Sequence, residues 1–362
     1  MILETLRILA FRNIPQAELS FDSRLNLLYG ANGAGKTSVL EAIHFLGTAR
    51  SFRSSHAGDA IHFGADGFTL AGCVSKSEDG SRWQMGIQRT EGRSRLQIDG
   101  LAQRSSSSMA ELLPLLLITP ESIRYLYGGS AERRVQLDWA LFHGDADYRA
   151  HSRRHVRALS QRNSLLKQGV ASVELQPWEQ VLAVSADFMH RRREAYCCRF
   201  ERFLNDWLGD GLEHPIQMAY SPGWDTAEDF ADSLKHHLAR DRELGHTTTG
   251  PHRADIVYTT DARPLSRVLS RGQAKLFVNG VLTAQTALLR QERGVSPVVL
   301  VDDLPAEFDG HARERFLALL QKMETQLFIT STEAGLVPIA TWPTHTMFHV
   351  EQGHLTSPEK TS

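Results

Sequence analysis

The spacing of hydrophobic residues divides the chain into three parts. From residue 1 to about residue 120, short apolar runs alternate with polar turns, which predicts strands and one strong helix at 38–46. From about 130 to 245 the apolar residues recur at helical spacing, which predicts long helices. From His246 onward, runs typical of strands return. The pattern therefore predicts an α/β protein with a mainly helical segment inserted between two strand-rich parts.

Individual strands can be assigned from these runs. Residues 1–11 and 16–21 are expected to pair, and residues 25–29 form a buried strand before the helix. The other predicted strands are 68–74, 82–88, 95–98, 112–118 and 254–260. Two late runs, 298–301 and 326–330, are short and apolar, which is typical of strands buried in a parallel sheet.

A glycine-rich segment between the strand 25–29 and the helix 38–46 is predicted to be a phosphate-binding loop. Glycines let backbone N–H groups surround a phosphate, and the helix N-terminus adds the positive end of its dipole. Lys36 is expected to reach the β- and γ-phosphates of a nucleotide, and the Thr37 hydroxyl to bind Mg²⁺. The loop consists of Gly30, Ala31, Asn32, Gly33, Ala34, Gly35, Lys36 and Thr37.

The apolar strand at 298–301 ends in two carboxylates, Asp302 and Asp303. A parallel sheet places the carboxyl ends of its strands at the ligand edge. We expect Asp302 to hold the Mg²⁺, directly or through water, and Asp303 to polarise the attacking water. The opposite division of roles between these two acids stays open.

The loop and the acidic strand should share one sheet, although Asp302 follows Lys36 by 266 positions. We therefore predict a nucleotide-binding head built from 1–125 and 246–362. A helical insertion at 126–245 splits this head and is a candidate lobe for binding DNA or a protein partner.

A third motif, 269–273, comes directly before a predicted helix at 274–290. Ser270 is a good helix cap, and an ordinary capped helix start is the simple interpretation. The motif lies about 30 residues before the acidic strand, however, as does the signature loop Leu-Ser-Gly-Gly-Gln of ATP-binding-cassette (ABC) heads. In those heads the loop closes on the γ-phosphate bound by a second subunit. This resemblance implies an ATP-dependent homodimer in which Ser270, Gly272 and Gln273 contact the partner's nucleotide. The loop near 269–273, although assigned to the head segment, is a candidate to pack with the helical lobe.

Composition and charge limit the binding partners and the cellular compartment that can be expected. The formal charge of −2 over 362 residues gives no global attraction to nucleic acid, so any basic surface has to be local. Cys73, Cys197 and Cys198 form no plausible disulfide framework, which favours a reducing compartment. The N-terminus does not resemble a signal peptide, and no apolar run approaches the roughly 20 residues of a membrane span. A cytoplasmic protein without membrane contact is expected.

Basic residues concentrate in the stretch 148–167, which contains no acidic residue. Arg149, Arg153 and Arg157 are spaced by four positions and share one predicted helix face, and 191–193 is a second arginine cluster. Phosphate contacts give affinity without sequence specificity, so single-stranded or gapped duplex DNA is a candidate partner. A solvated helix face is the simple alternative.

Several short motifs are spread along nearly the whole chain. They are Phe11-Arg12-Asn13, the loop 30–37, Ser51-Phe52-Arg53, Ile118-Thr119-Pro120-Glu121, Gly250-Pro251-His252-Arg253 and Asp302-Asp303-Leu304-Pro305-Ala306-Glu307-Phe308-Asp309. Together they resemble the RecF family of bacterial recombination-repair ATPases, which are cassette-type heads related to the SMC proteins.

This resemblance implies an ABC-type P-loop ATPase head (lobe I) with an inserted, mainly helical second domain (lobe II). It implies a DNA-binding clamp that binds ATP with Mg²⁺ and dimerises on nucleotide, with weak ATP hydrolysis controlling the dimer. It also implies help in loading the strand-exchange protein at gaps, with RecO and RecR as partners, and support of the SOS response.

Some positions depart from the wider cassette pattern. Arg271 replaces the first signature glycine, and Asp303 stands where these ATPases usually place a catalytic glutamate. Glu121 takes the place of the glutamine after the lobe-joining strand, and Ser331 that of the switch histidine. These replacements favour slow hydrolysis. Asp309 matches the position that contacts the partner subunit.

Other protein classes carry some of these motifs. An ABC transporter ATPase subunit has a head of roughly 200–250 residues and a switch histidine, and has no need of a split head. Another SMC-like structural ATPase would need hundreds of heptad residues in the insertion, which spans only about 115 residues. A P-loop kinase or GTPase has no use for the signature loop. The first two classes remain the alternatives.

Overall fold

The computed structural model describes residues 1–76, 79–90, 92–209, 215–303 and 308–356. They form two compact units. Met1–Glu121 and Val295–Ser362 form the first, called the head unit below, and Ser122–Gly294 forms the second, called the helical unit. Within the described ranges, no helix is long and apolar enough to cross a membrane.

Strands and helices are numbered along the whole chain. The strands are β1 Ile2–Phe11, β2 Ile14–Ser20, β3 Leu25–Tyr29, β4 Gly67–Ser75, β5 Arg82–Thr90, β6 Arg93–Ile98, β7 Leu101–Gln103, β8 Leu115–Ile118, β9 Gln217–Ser221, β10 Asp255–Thr260, β11 Arg263–Pro264, β12 Val298–Val301, β13 Leu327–Ser331, β14 His345–Glu351 and β15 His354–Thr356. The α-helices are α1 Lys36–Thr48, α2 Ser106–Leu112, α3 Arg124–Tyr127, α4 Ser130–Gly144, α5 Ala146–Gln168, α6 Ser172–Leu208, α7 Phe230–His236, α8 Leu238–Leu244, α9 Leu265–Val268, α10 Arg271–Arg293 and α11 Gly310–Lys322.

One sheet of the head unit is antiparallel, with the strand order β2-β1-β4-β5-β6-β7. The predicted pairing of the first two strands is confirmed, with Leu6 opposite Leu19. Along β1, Leu6 and Ile8 are buried while Arg7 is exposed, because successive side chains of a strand point to opposite faces. This alternation places the apolar side chains of the sheet against the head core.

The second sheet of the head unit has the order β15-β14-β3-β13-β12-β8. The strand β3 pairs in parallel with β13 on one side and with β14 on the other. The strand β12 pairs in parallel with β13 and β8. The strands that lead into the phosphate-binding loop and into the acid pair therefore lie in one sheet, as predicted.

Helix α1 contacts strands of both sheets. Its residues Val39, Ile43 and Phe45 are fully buried. The ring of Phe45 meets that of Phe68 edge-on, with centroids 5.1 Å apart, and Phe68 meets Phe11 at 5.0 Å. Truncating such a ring to alanine costs about 3–5 kcal/mol. The core thus fixes α1, and with it the loop at its N-terminus.

The helical unit contains the long antiparallel pair α5 and α6. The Asp145 side chain caps α5 by accepting a hydrogen bond from the Tyr148 N–H at 3.0 Å. Gly169 ends this helix in the left-handed conformation, with φ at 69°. Ala158 of α5 packs against Leu182 and Ala186 of α6 in a small apolar cluster.

Two arginines of the predicted basic clusters lie inside the helical unit instead of on its surface. Arg162 is fully buried and its Nη1 atom lies 2.7 Å from a carboxylate oxygen of Asp241. Arg193 is 2% exposed and lies 2.9 Å from Asp138. A buried guanidinium needs such a partner because an unpaired charge is costly in an apolar interior. The acid-free stretch and the 191–193 cluster are therefore less basic on the surface than predicted.

The division of the chain differs from the predicted one at its second boundary. Residues 246–294 belong to the helical unit, and the head unit resumes only at Val295. The strand β10, expected in the head, pairs with β9, and helix α10 packs against α6. A further difference concerns the predicted strand 112–118, where the strand begins only at Leu115 and a short helix, capped by Ser105, precedes it.

Candidate nucleotide-binding site

The phosphate-binding loop joins β3 to α1, the context that the motif requires. Only glycine fits at position 30, since a Cβ atom on Gly30 would lie 2.2 Å from the Val350 carbonyl oxygen. At Gly33 φ is 79° and a Cβ atom would meet nothing within 4 Å, so the loop faces open space. No side chain of the described residues caps the N-terminus of α1, which leaves its N–H groups for an anion.

Lys36 is held over the loop by backbone acceptors. Its Nζ atom donates hydrogen bonds to the carbonyl oxygens of Gly30 at 2.7 Å and Ala31 at 2.9 Å. Burial lowers the pKa of this ammonium group, and the nearby carboxylates of Asp303 and Asp302 partly oppose that shift. The ammonium group thus lies at the loop, where the β- and γ-phosphates of a nucleotide are expected to bind.

Asp302, at the end of β12, meets the loop. Its Oδ1 atom accepts hydrogen bonds from the hydroxyls of Thr37 at 3.0 Å and Thr330 at 2.8 Å. Burial raises the pKa of this carboxyl group, and the two hydroxyls act in the opposite direction. The Thr37 hydroxyl and the Asp302 carboxylate are hard oxygen donors, which suit Mg²⁺.

Asp303 lies beside Asp302 with its backbone in the left-handed region, at a φ of 52°. Its N–H donates to the Thr330 hydroxyl at 2.7 Å. A residue other than glycine in this conformation costs of order 1–3 kcal/mol, and such strain concentrates at functional sites. The turn carries the side chain into the same cleft as Lys36.

The loop opens into a cleft of about 770 Å³, a volume that accommodates a nucleotide. Pocket residues from outside the loop include Arg12, Asn13, Arg53, Glu121 and Thr330. Glu121 therefore lies at the predicted site, whereas Ser331 is buried with its hydroxyl donating to the Glu333 carbonyl. Motif residues 304–307 lie outside the described residues.

Supporting residues that sequence reasoning did not assign to the site surround the loop. Asn13 accepts from the Ser38 hydroxyl at 2.8 Å and donates to the Ala34 carbonyl at 3.2 Å. Fully buried Glu41 pairs with Arg12 at 2.6 Å and with Arg53 at 3.5 Å. Arg12, Asn13 and Arg53 belong to the short motifs that resemble the RecF family, and these motifs were the sequence feature that could have assigned them to the site. For Thr330 the only such feature was its place at the end of a predicted strand.

The donors present fit a magnesium–nucleotide complex. The uncapped helix start and Gly33 offer an open cradle of N–H groups, and Lys36 supplies a cation for phosphate oxygens. Thr37 and Asp302 bring two oxygen donors together. A bound Mg²⁺ would supply charge neutralisation between phosphate oxygens, and these two residues would hold it.

The predicted signature segment lies in the helical unit, at the start of α10. The Ser270 hydroxyl accepts from the Gln273 N–H at 3.4 Å, and the Gln273 side chain accepts from the Ser270 N–H at 2.9 Å. This is the reciprocal cap of an ordinary helix start. Ser270, Arg271, Gly272 and Gln273 are all exposed, so the cap leaves the segment accessible. Asp309 likewise caps α11, through the Ala312 N–H at 2.9 Å.

The candidate DNA-contacting arginines lie on α5, as predicted. Arg153 and Arg157 are exposed, whereas Arg149 is half-buried. Arg149 donates to the Phe142 carbonyl at 2.7 Å and its guanidinium lies 5.7 Å from the centre of that ring. The accessible part of the predicted basic face is therefore smaller than the sequence indicated, because Arg149 contacts Phe142 within the helical unit.

The order of strands and the convergence of the loop with the acidic strand define an ABC-type P-loop head. The sequence model of the RecF/RecN/SMC N terminal domain family matches residues 2–356. The chain belongs to this family and, by its curated relatives, to the RecF proteins within it.

Individual relatives and solved structures match this chain over nearly its whole length. The DNA replication and repair protein RecF of Shewanella baltica is 38% identical over 359 residues, covering 98% of this chain and 99% of the relative. RecF of Pseudomonas syringae pv. syringae is 38% identical over 98% of both chains. The solved recombination mediator protein RecF with ATP, in the RecFOR pathway, superposes with a TM-score of 0.86 at 25% identity, covering 99% of this chain and 97% of that one. A solved Smc head bound to ScpA, at 14% identity and a TM-score of 0.60 over 100% of this chain and 98% of that one, shares the fold.

Proposed function

We propose that this protein is an ATP-dependent DNA-binding clamp that acts in recombinational repair and in replication restart at gaps. The observation that carries the proposal is the convergence of Lys36, Thr37 and Asp302 in one cleft, in a chain of the RecF family. Relatives carry the name DNA replication and repair protein, and a solved neighbour was determined with ATP in the RecFOR pathway.

Within this proposal ATP binds with Mg²⁺ at the loop. Lys36 and the N–H groups at the start of α1 hold the phosphates, and Thr37 and Asp302 hold the metal. Asp303 orients the attacking water. Its carboxylate is one methylene shorter than that of a glutamate, so we expect weak hydrolysis that times the release of the clamp instead of driving rapid turnover.

The proposed active form is a homodimer that closes on nucleotide. The exposed Ser270 and Gly272 at the start of α10 would approach the phosphates bound by the partner's loop. Asp309 would contact the partner subunit. A helix N-terminus favours anions, which supports a role for this segment beside a γ-phosphate.

We further propose that α5 contributes to a phosphate-binding surface for single-stranded or gapped duplex DNA, through Arg153 and Arg157. The proposal also includes assembly with RecO and RecR, loading of the strand-exchange protein and support of SOS induction, and membership in the family supports it. A cytoplasmic location fits these roles.

The direct test is nucleotide binding to Lys36→Ala, measured by calorimetry, together with light scattering for the dimer. We expect loss of ATP binding and of ATP-dependent dimerisation, because the loop loses its cation. Lys76→Ala, which alters a half-exposed lysine paired with Asp79 at 3.9 Å, is the control and should bind normally. ATP affinity retained within a few fold in Lys36→Ala would refute the nucleotide site.

A further inference from the structure

Another cavity lies within the helical unit, between helices α4, α6 and α10, and has a volume of about 360 Å³. Its described lining residues all belong to the helical unit, whereas the phosphate-binding loop belongs to the head unit. Three arginines line it, Arg192, Arg199 and Arg293, and it is called the arginine-rimmed cavity below. Arg192 and Arg199 are 46% and 42% exposed, so the cavity opens to solvent at these side chains.

The floor of this cavity is apolar and closely packed. Leu141 of α4, Tyr196 of α6 and Leu289 of α10 line it, and each is buried. The Tyr196 ring stacks on Phe200 with the ring centroids 5.4 Å apart. Gly144 lets α4 approach α10, because a Cβ atom on it would lie 3.1 Å from Cδ1 of Leu289. Close packing holds the floor in place, so a side chain that enters the cavity meets a surface that needs no further ordering.

The rim of the cavity has an excess of positive charge. Arg192 pairs with Asp145 at 3.3 Å, and Arg199 pairs with Glu292 at 3.1 Å. Each of these two arginines is thus offset by an acid of the same rim. Arg293 is exposed and also lines the cavity, and no carboxylate of the described residues forms an ion pair with it. One positive charge therefore remains available at the opening.

These features favour a protein partner over a nucleic acid. Binding energy at protein interfaces concentrates where a large side chain of one partner fills a pocket of the other, and the apolar floor offers such a pocket. The carboxylates of Asp145 and Glu292 would repel the closely spaced phosphates of DNA. A single available guanidinium instead matches one carboxylate, with which it can form two parallel hydrogen bonds.

We propose that the arginine-rimmed cavity is a docking site for an acidic segment of a protein partner. A large apolar side chain of that segment enters the cavity, and a neighbouring carboxylate pairs with Arg293. The cavity lies at the C-terminal end of α10, and Ser270 caps the other end of the same helix. A docked partner therefore contacts the helix that carries the proposed signature segment. The proposal does not depend on the nucleotide site.

The first test fills the cavity. The probe is a fluorescein-labelled synthetic peptide, Asp-Asp-Phe-Asp-Asp, and its binding to the full-length protein is measured by fluorescence anisotropy. Two matched peptides replace the phenylalanine by serine or the four aspartates by lysine. We expect the parent to prefer the first peptide about tenfold over each of the others. Ala195→Trp fills the cavity from an exposed position of α6 and should abolish this preference. Ala239→Trp, at an exposed position of α8 outside the cavity, should bind like the parent.

The second test reverses the available charge. Arg293→Glu should weaken binding of the aspartate peptide about tenfold and make the lysine peptide the better ligand, because the excess charge of the rim changes sign. Arg240→Glu makes the same change at an exposed arginine outside the cavity and should keep the preference of the parent. Circular dichroism verifies that each variant is folded.

Equal binding of the three peptides by the parent overturns the proposal, and so does parent-like binding by Ala195→Trp or Arg293→Glu. Weaker binding of a labelled oligothymidylate by these two variants, with no preference of the parent for the phenylalanine peptide, would overturn it and assign the cavity to DNA. Loss of the ATP-dependent dimer in Ala195→Trp, again without a peptide preference in the parent, would overturn it and assign the cavity to a second copy of this chain.

Discussion

The Thr37 hydroxyl lies 3.0 Å from Oδ1 of Asp302 and donates a hydrogen bond to it, although the two residues are 265 positions apart. Thr330 donates to the same oxygen at 2.8 Å. One carboxylate thus connects the start of α1 with the ends of β12 and β13. Because these donors already orient the carboxylate, metal binding requires little rearrangement of the protein.

Asp303→Asn is expected to bind ATP but to hydrolyse it slowly, so that the dimer persists. The amide keeps the size of the side chain and removes only the charge that polarises water. Single-turnover ATP hydrolysis and light scattering measure the two effects, and Asp79→Asn, at an exposed carboxylate of the head unit outside the cleft, serves as a control for loss of a carboxylate charge. A collapse of ATP binding itself would instead assign the metal to Asp303 and reverse the roles of the two acids.

Ser270→Arg tests whether the segment before α10 completes the site in trans. The bulky cation should block closure on the partner's phosphates without touching the variant's own loop. We expect nearly normal ATP binding with neither dimer nor hydrolysis. Thr226→Arg, an exposed position in a loop of the helical unit, adds the same side chain and should behave like the parent. Parent-like dimerisation of Ser270→Arg would reduce the segment to a capped helix start.

Mixing Ser270→Arg with Lys36→Ala sharpens this test. A mixed dimer has one composite site with both defects and one site with neither. We expect partial recovery of ATPase activity when the two inactive proteins are combined, provided that one intact site holds the pair together. A mixture as inactive as its components would argue against sharing of sites between subunits.

The double substitution Arg153→Glu with Arg157→Glu should weaken DNA binding and reduce its dependence on salt, while ATP binding stays intact. Each lost phosphate contact lowers the slope of log K against log salt by about 1. Fluorescence anisotropy on gapped duplex and single strands at several salt concentrations measures this slope. Arg240→Glu, at an exposed arginine of the helical unit outside both arginine clusters, is the comparison and should change little. An unchanged slope in the double variant would identify the helix face as merely solvated.

The helical unit is expected to lose stability in mild acid. Burial lowers the pKa of His155 to about 3 and of His252 to about 4. His155 faces the Ser185 hydroxyl at 2.9 Å, His252 the Thr247 carbonyl oxygen at 3.0 Å, and Arg193 disfavours a further positive charge. Since both folded pKa values lie below the ordinary histidine value of 6.5, the unfolded chain binds more protons below that pH.

The free energy of unfolding should therefore fall as pH drops from 6.5 toward 4, by about 1.4 kcal/mol per pH unit for each histidine. Urea unfolding at pH 7 and pH 5 measures the loss. His155→Gln should flatten the dependence, and His311→Gln, at a fully exposed side chain, should leave it as in the parent. Equal slopes in all three proteins would contradict this origin.

Local spacing was sufficient to predict the loop and the strands β1–β6, β8, β12 and β13 of the head unit, because alternation along β1 and the glycine spacing depend on near neighbours in the chain. The strands β7, β14 and β15 were not predicted. The joining of β3 and β12 in one sheet was also predicted, since two ligand-edge motifs need a common edge. The second domain boundary was not predicted: β10 has ordinary strand composition, and nothing in it indicates that its partner is β9.

The buried charges escaped prediction for a related reason. Arg162 and Arg193 have no acidic neighbour at helical spacing that matches their partners Asp241 and Asp138, which come from distant segments. Charged residues are mostly exposed, so burial is inferred only when the partner is known. The same holds for Thr330, whose hydroxyl gains its importance only beside Asp302.

The place of β3 in its sheet has a consequence for synthesis on the ribosome. Both of its neighbours, β13 and β14, come from the last part of the chain, whereas Ser122–Gly294 is contiguous and can form its own contacts earlier. Until they emerge, the nascent chain carries β3 with two unpaired edges, which favour aggregation and chaperone binding. A premature stop before Leu327 would keep every residue of the loop and still abolish the site, because β3 would lack its neighbours in the sheet.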